Sequence, residues 1–372
     1  MKYTERNCPI CGKHNTTIYK ESKLVITTVV KPFAYNFCVC EHCGFLYKNP
    51  IPSDEDLKEH YNTSFAYKFL DFSIDKRIEV IKKFLKDTNG TYSEYGANNQ
   101  NEFHAKLKNY FKKIQLSDLH EFDYSLAPDE NKQSDIIAAY YVLEHVSNPS
   151  DFIQKAYKNL KEGGYFIIEV PNADEYYYNS CGLDCIEHLQ HFTPSSLEVL
   201  MNNNGFNLVF LSKVLCSRIF GNCYVFQKTD KITRNSAQKF LSKDIINYYQ
   251  GKLQKQEIKI KKILEKLENY KTDEVLFWCA NQETFDIIQI YEKYYKKDFP
   301  YVIVDNNPTK VLNTKNYLKN VFIPQDKRDF IKNAKIIVIC SDFHFETIIN
   351  DIRELYGNKD YIETIKYSLY LN

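Results

Sequence analysis

Residues 134–172 read SDIIAAYYVLEHVSNPSDFIQKAYKNLKEGGYFIIEVPN, and residues 186–206 read IEHLQHFTPSSLEVLMNNNGF. Asp135-Ile-Ile-Ala-Ala is an apolar run of strand length that leads into the polar elbow Leu143-Glu144-His145. Helical spacing then puts Phe152, Ala156 and Leu160 on one face. Lys161-Glu162-Gly163-Gly164 stops that helix with a basic residue in the last turn and glycine beyond it. Tyr165 to Val170 is a second buried strand, closed by Pro171-Asn172. Strand, helix, glycine pair and strand make one crossover of a parallel sheet, so the fold class is α/β. Further on, Thr193 is placed to N-cap a helix with Pro194 at its first position.

Working outward, 372 residues are enough for two or three cores. Lys+Arg 49 against Asp+Glu 48 leaves no basic field for nucleic acid. No apolar run approaches the roughly 18–20 residues that span a bilayer, and MKYTERN lacks the apolar core of an export signal. The expectation is a soluble, cytoplasmic protein with no nucleic-acid or membrane partner. Its eleven cysteines then sit in a reducing compartment, where paired CxxC spacing favours metal over disulfide.

Cys8-Pro-Ile-Cys11-Gly12 and Cys40-Glu-His-Cys43-Gly44 are two CxxCG knuckles with 28 residues between them. Each turns two thiolates to one side, and the following glycine lets the backbone fold over the sulfurs. Four thiolates suit a closed tetrahedral Zn²⁺ site, structural in character because no position is left for substrate. Cys38 is an alternative to Cys40, and His14 and His42 read as solvated neighbours.

Residues 51–88 read as helical, with Ile74, Ile78, Ile81 and Leu85 at helical spacing and Asn89-Gly90 as the stop. Residues 91–100 read as the first strand of the cofactor sheet and its turn, Glu94-Tyr-Gly96-Ala-Asn98-Asn99-Gln100. A helix over 102–113 and a strand over 114–118 follow. Asp118, 24 residues after Glu94, is placed to bind ribose hydroxyls at the end of a second strand.

The blocks D-I-I-x(5)-V-L-E-H-V, L-K-x-G-G-x-F-I-I-E-V-P-N and E-H-L-x-H-F-T-x-x-S-L-x(6)-G-F resemble the second half of a class I S-adenosylmethionine-dependent methyltransferase. With the knuckles, the Tyr61-Asn-Thr-Ser64 segment and Asp305-Asn-Asn-Pro-Thr-Lys310, the chain resembles the zinc-containing sugar C-methyltransferases along nearly its whole length. That resemblance implies an N-terminal zinc-ribbon-like domain, a Rossmann-like methyltransferase sheet and a second Rossmann-like α/β lobe. It implies cofactor contacts from Glu94, Gly96, Asn98, Asp118, Glu144 and Tyr61. The family's E-I-G-x-N-D-G turn is kept at Glu94, Gly96 and Asn98 but departs at Asn99 and Gln100.

The resemblance places the chemistry at Cys185-Ile186-Glu187-His188-Leu-Gln-His191-Phe192. The implied roles are His188 as base, Glu187 as its orienting partner and His191 as a second candidate. Here Cys185 and Ile186 stand where the family has tyrosine and histidine. The implied acceptor is a small molecule, a nucleotide-linked sugar or surface-glycan precursor. O- or N-methylation of a glycan or small acid stays open, as does a catalytically silent scaffold and the choice of monomer or homodimer.

Residues 208–226 read as strand-rich with Gly221-Asn222 as the turn, and residues 228–270 as a lysine-rich helical linker. A second α/β unit starts at Thr272, and its turn Cys279-Ala-Asn-Gln-Glu283 offers no glycine to a dinucleotide phosphate. The expected divisions are 1–50, 51–88 (connector), 89–228 (methyltransferase), 229–271 (linker) and 272–372.

Overall fold

A computed structural model of the chain describes residues 2–14, 16–25, 33–57, 74–97, 102–117, 133–177, 188–216, 219–230, 242–315, 318–341, 345–356 and 363–366. The N-terminal unit contains β1 (Tyr3–Thr4), β2 (Thr16–Val25), β3 (Phe33–Cys40), β4 (Leu46–Asn49) and β5 (Ile51–Pro52). β2, β3 and β4 pair antiparallel, and β1 pairs antiparallel with β5. The last pairing carries this unit past residue 50, to Pro52. Gly12 and Gly44 close the two knuckles at φ 68° and 76°, conformations that side chains resist.

The central sheet is built from β6 (Thr91–Tyr95), β7 (Lys113–Ser117), β8 (Ser134–Tyr140), β9 (Leu160–Pro171), β11 (Phe206–Cys216) and β12 (Ile219–Lys228). Its order is β11-β12-β9-β8-β6-β7. β7, β6, β8 and β9 run parallel, and β12 and β11 close the sheet antiparallel. Both faces are buried, so alternate residues enter two cores. Ile137, Ala139, Phe166 and Ile168 face the helices Pro149–Asn159 and Pro194–Asn203. Ile136, Ala138 and Ile167 face the helices Ile74–Phe84 and Glu102–Leu107. Asn148 caps the first of these helices and Thr193 the second, where Thr193 and Ser196 form a capping box behind Pro194.

Three expectations change. Gly221 and Asn222 lie inside β12, where a Cβ on Gly221 would stand 2.7 Å from the Tyr141 hydroxyl and 2.8 Å from the Val170 carbonyl oxygen. That glycine answers a close approach rather than a turn. The helix expected to reach residue 113 ends at Leu107, and Lys113 already begins β7. The knuckle unit is not a separate body, because Cys8, Cys40, Cys43, Phe45 and Tyr47 share one core with Ile137, Val142 and Phe192.

After the helix Ser242–Leu267, β13 (Val275–Trp278), β14 (Val302–Val304), β15 (Val321–Phe322), β16 (Ile336–Ile339) and β17 (Glu363–Lys366) make a second sheet. It is parallel throughout, in the order β15-β14-β13-β16-β17. Ile260, Ile263, Leu264 and Leu267 of the long helix pack into its core with Phe277 and Ile303. Asp305, at the carboxyl end of β14, is tied to Lys310 at 2.7 Å and accepts from the Ala280 amide at 2.9 Å.

Candidate active site

In an open parallel sheet, ligands bind beyond the carboxyl ends of the strands, where the order reverses. Here that point lies between β6 and β8. Gly96 leaves β6 at φ 79°, and its amide and that of Ala97 both donate to the Ser117 carbonyl, at 2.7 and 3.0 Å. A Cβ at Gly96 would lie 2.4 Å from Cγ2 of Val142, so only glycine fits this turn. Glu94 is buried just before it and accepts from the Tyr92 hydroxyl at 2.6 Å, with His104 Nε2 at 3.2 Å. Burial pushes the Tyr92 phenol well above its ordinary range, which keeps it a donor. Asn98, Asp118 and Tyr61 lie outside the described residues.

The segment after β8 brings a carboxylate and two histidines together. Tyr141 adopts φ 57°, rare for a large side chain, and donates its amide to the Glu169 carbonyl at 2.7 Å. Glu169 in turn binds Arg77 in a buried pair, at 2.9 Å to Nε and 2.6 Å to Nη2, and the Arg77 guanidinium lies 4.0 Å from the centre of the Tyr140 ring.

Val142 packs on the Gly96 turn, and two residues later the Glu144 side chain enters the interior, 1% exposed. Its Oε1 lies 3.7 Å from His145 Nε2 and 4.0 Å from His188 Nε2. The two imidazoles meet edge to face, at 4.8 Å and 85°. Neither carboxylate oxygen has a hydrogen-bond partner among the described residues. Burial pushes this carboxyl up to about 8. A carboxyl that titrates near neutrality beside two histidines can take and return protons. The three donor atoms lie mutually within 4.8 Å, a spacing at which they can also close on a divalent cation.

The structure therefore brings together His188 and Glu144, and adds His145, which the sequence reading quoted without a role. Glu187 lies outside the described residues. His191 has a different place. It is 1% exposed in β10 (Gln190–His191), which pairs with β4, and its ring packs on Phe37 at 5.6 Å. Burial first, then Lys48 and Arg6, holds its imidazole well below the usual range, as suits a neutral core residue.

Two further residues escaped the sequence reading. Arg6, from the knuckle unit, donates to the carbonyls of Lys48, Ser147 and Leu189 and to Gln190 Oε1. Gln190 Nε2 donates to the carbonyls of Leu143 and Val146, both at 2.7 Å. Nothing local in the sequence marks either one.

The four knuckle thiols also converge. Cys8 Sγ lies 3.5 Å from Cys43 Sγ and Cys11 Sγ 3.4 Å from Cys40 Sγ, too long for disulfides, and all four sulfurs lie within 4.8 Å of one another. Gly12 and Gly44 return their amides to the Cys8 and Cys40 carbonyls at 2.9 and 2.7 Å. Cys38 instead points its thiol at the Asn49 carbonyl, so Cys40 is the fourth member. Burial pushes the Cys11 thiol up to about 12, and the contact with Cys8, then burial, raises Cys43 well above the usual range while the same contact holds Cys8 down at about 6. Such a group ionises fully only around a cation, and the donor set fits zinc.

Residues 63–211 match a family model described as a methyltransferase domain. Among solved structures, the chain is similar to an S-adenosylmethionine-dependent methyltransferase from Clostridium acetobutylicum, at 12% identity and TM-score 0.32, covering 42% of this chain and 90% of that one. It is similar to the 1,6-didemethyltoxoflavin-N1-methyltransferase of Burkholderia thailandensis, at 10% identity and TM-score 0.34, over 53% of this chain and 96% of that one. It is also similar to an S-adenosylmethionine-dependent methyltransferase from Methanosarcina mazei, at 13% identity and TM-score 0.29, over 41% and 98%. No curated protein matches it. The enzyme class is that of the S-adenosylmethionine-dependent methyltransferases.

Proposed function

We propose that this enzyme methylates a small-molecule acceptor, a nucleotide-linked sugar or another surface-glycan precursor, with His188 as the base. The observation that carries the reading is the buried Glu144 carboxylate facing His145 and His188, two residues from the side chain that packs on the Gly96 turn. S-adenosylmethionine supplies an already activated methyl group. The chain's task is to align the acceptor and remove its proton. Glu94, Gly96, Asn98, Asp118 and Tyr61 are the residues proposed to hold the cofactor. His188 takes the acceptor proton, and the imidazolium is stabilised by Glu144, whose ionisation the new positive charge favours. Glu187, the neighbour of His188 in sequence, is the proposed orienting partner of that base.

Cys8, Cys11, Cys40 and Cys43 hold a structural Zn²⁺, and the second sheet is a substrate-side lobe. Replacement of the family's tyrosine and histidine by Cys185 and Ile186 favours a second reading, transfer to oxygen or nitrogen rather than carbon.

The test is calorimetric titration of zinc-loaded protein with S-adenosylhomocysteine. Micromolar binding that Asp118→Ala abolishes is the expected result. No binding at millimolar ligand by folded protein would leave a silent scaffold. NMR of the methylated product then separates carbon from oxygen or nitrogen transfer.

A further inference from the structure

We infer that Arg6 and Gln190 are positioning residues for Glu144 and His188, so that the knuckle unit sets the geometry of the proton-handling group. The inference rests on the reading of His188 as base. Gln190 is fully buried, and its amide is saturated in one orientation. Oε1 accepts from Arg6 at 2.8 Å, while Nε2 donates to the Leu143 and Val146 carbonyls at 2.7 Å each. Those two carbonyls bracket Glu144-His145. Arg6 reaches the next carbonyl along, Ser147, at 3.0 Å, and also the Leu189 carbonyl, adjacent to His188.

The main chain closes the circuit. The Leu189 amide donates to the Glu144 carbonyl at 2.8 Å, and the Lys48 amide of β4 donates to the Leu189 carbonyl at 2.9 Å. Both partners of the Glu144–His188 contact therefore hang on one guanidinium and one amide. A planar five-donor fork can serve several carbonyls and an amide oxygen together, which a lysine ammonium cannot. The geometry matters because misplacing a reacting group by about 1 Å can cost on the order of 100-fold in rate.

Gln190→Glu separates positioning from simple adhesion. The carboxylate keeps Arg6 as a partner, now as an ion pair, but loses both donors to the Leu143 and Val146 carbonyls. In zinc-loaded full-length protein, kcat should fall at least ten-fold while the Kd for S-adenosylhomocysteine stays within two-fold. Arg6→Lys keeps the charge and loses the fork, so it should show the same split rather than rescue. A readout independent of activity is the pair of ring signals of His145 and His188 in ¹H–¹³C NMR spectra, assigned with His145→Gln and His188→Gln. Both should move in Gln190→Glu and in Arg6→Lys. Unmoved ring signals in the two folded variants overturn the inference whatever happens to kcat, as does full activity of either variant. Moved signals in a protein that methylates nothing would retain the clamp and discard His188 as a base.

Discussion

Glu144 is the residue on which the proposed chemistry turns, because it holds a carboxyl in a place that disfavours its charge. Its ordinary value of 4.5 is raised to about 8 by burial. A raised carboxyl favours the fold while protonated, a contribution fully present below pH 4.5 and lost as pH rises through 8. Glu144→Gln should therefore melt with the parent near pH 4.5 and above it at pH 8.5, by an amount on the order of a few kcal/mol. Circular dichroism melts across pH check this, and methyl transfer by the variant should be lost. His188 was legible because it stands in a dense local motif. Glu144 was quoted for the cofactor, yet its carboxylate faces two imidazoles, a fact of tertiary packing. Arg6 and Gln190 stand 184 residues apart, and no periodicity or spacing connects them.

Among elements, the knuckles, with zinc on their four thiols as proposed, and the strand pairing beside them are the part expected to depend on metal. Removing zinc leaves four crowded thiols, and the pairing of β4 with β10 loses its base. A strong chelator should remove one zinc per chain and lower the melting temperature, and added Zn²⁺ should restore it. Elemental analysis with thermal melts measures both, and a second ion lost in His188→Gln would be assigned to Glu144, His145 and His188. Elements with local punctuation were legible. Asn148-Pro149 and Thr193-Pro194 start helices, and the CxxCG glycines close turns at positive φ. Gly221 was not, because its reason is a tyrosine hydroxyl brought in from the end of β8.

Across the molecule, two sheets own two sets of cores, and among the described residues no side chain of the central sheet's clusters appears in those of the second. Scanning calorimetry should resolve two transitions, with S-adenosylhomocysteine raising only the one that belongs to the central sheet. A single transition raised as a whole would mean that the long helix Ser242–Leu267 couples them fully. The α/β class and the parallel crossovers were readable from the alternation of apolar runs and helical spacing. The merging of the knuckle unit into the central core was not, since it depends on Phe45 and Tyr47 meeting Phe192 and Val142 from distant parts of the chain.

The bond from Arg6 to the Leu189 carbonyl spans 183 residues and gives the protein a timetable. A ribosome delivers Arg6 early and Leu189 late, a gap on the order of tens of seconds at ordinary elongation rates. For that interval the nascent chain holds its knuckles, and then all four parallel strands of the central sheet, before the turn at Glu144 has its anchor. The anchor thus arrives after the last parallel strand, β9, and before the closing strands β11 and β12.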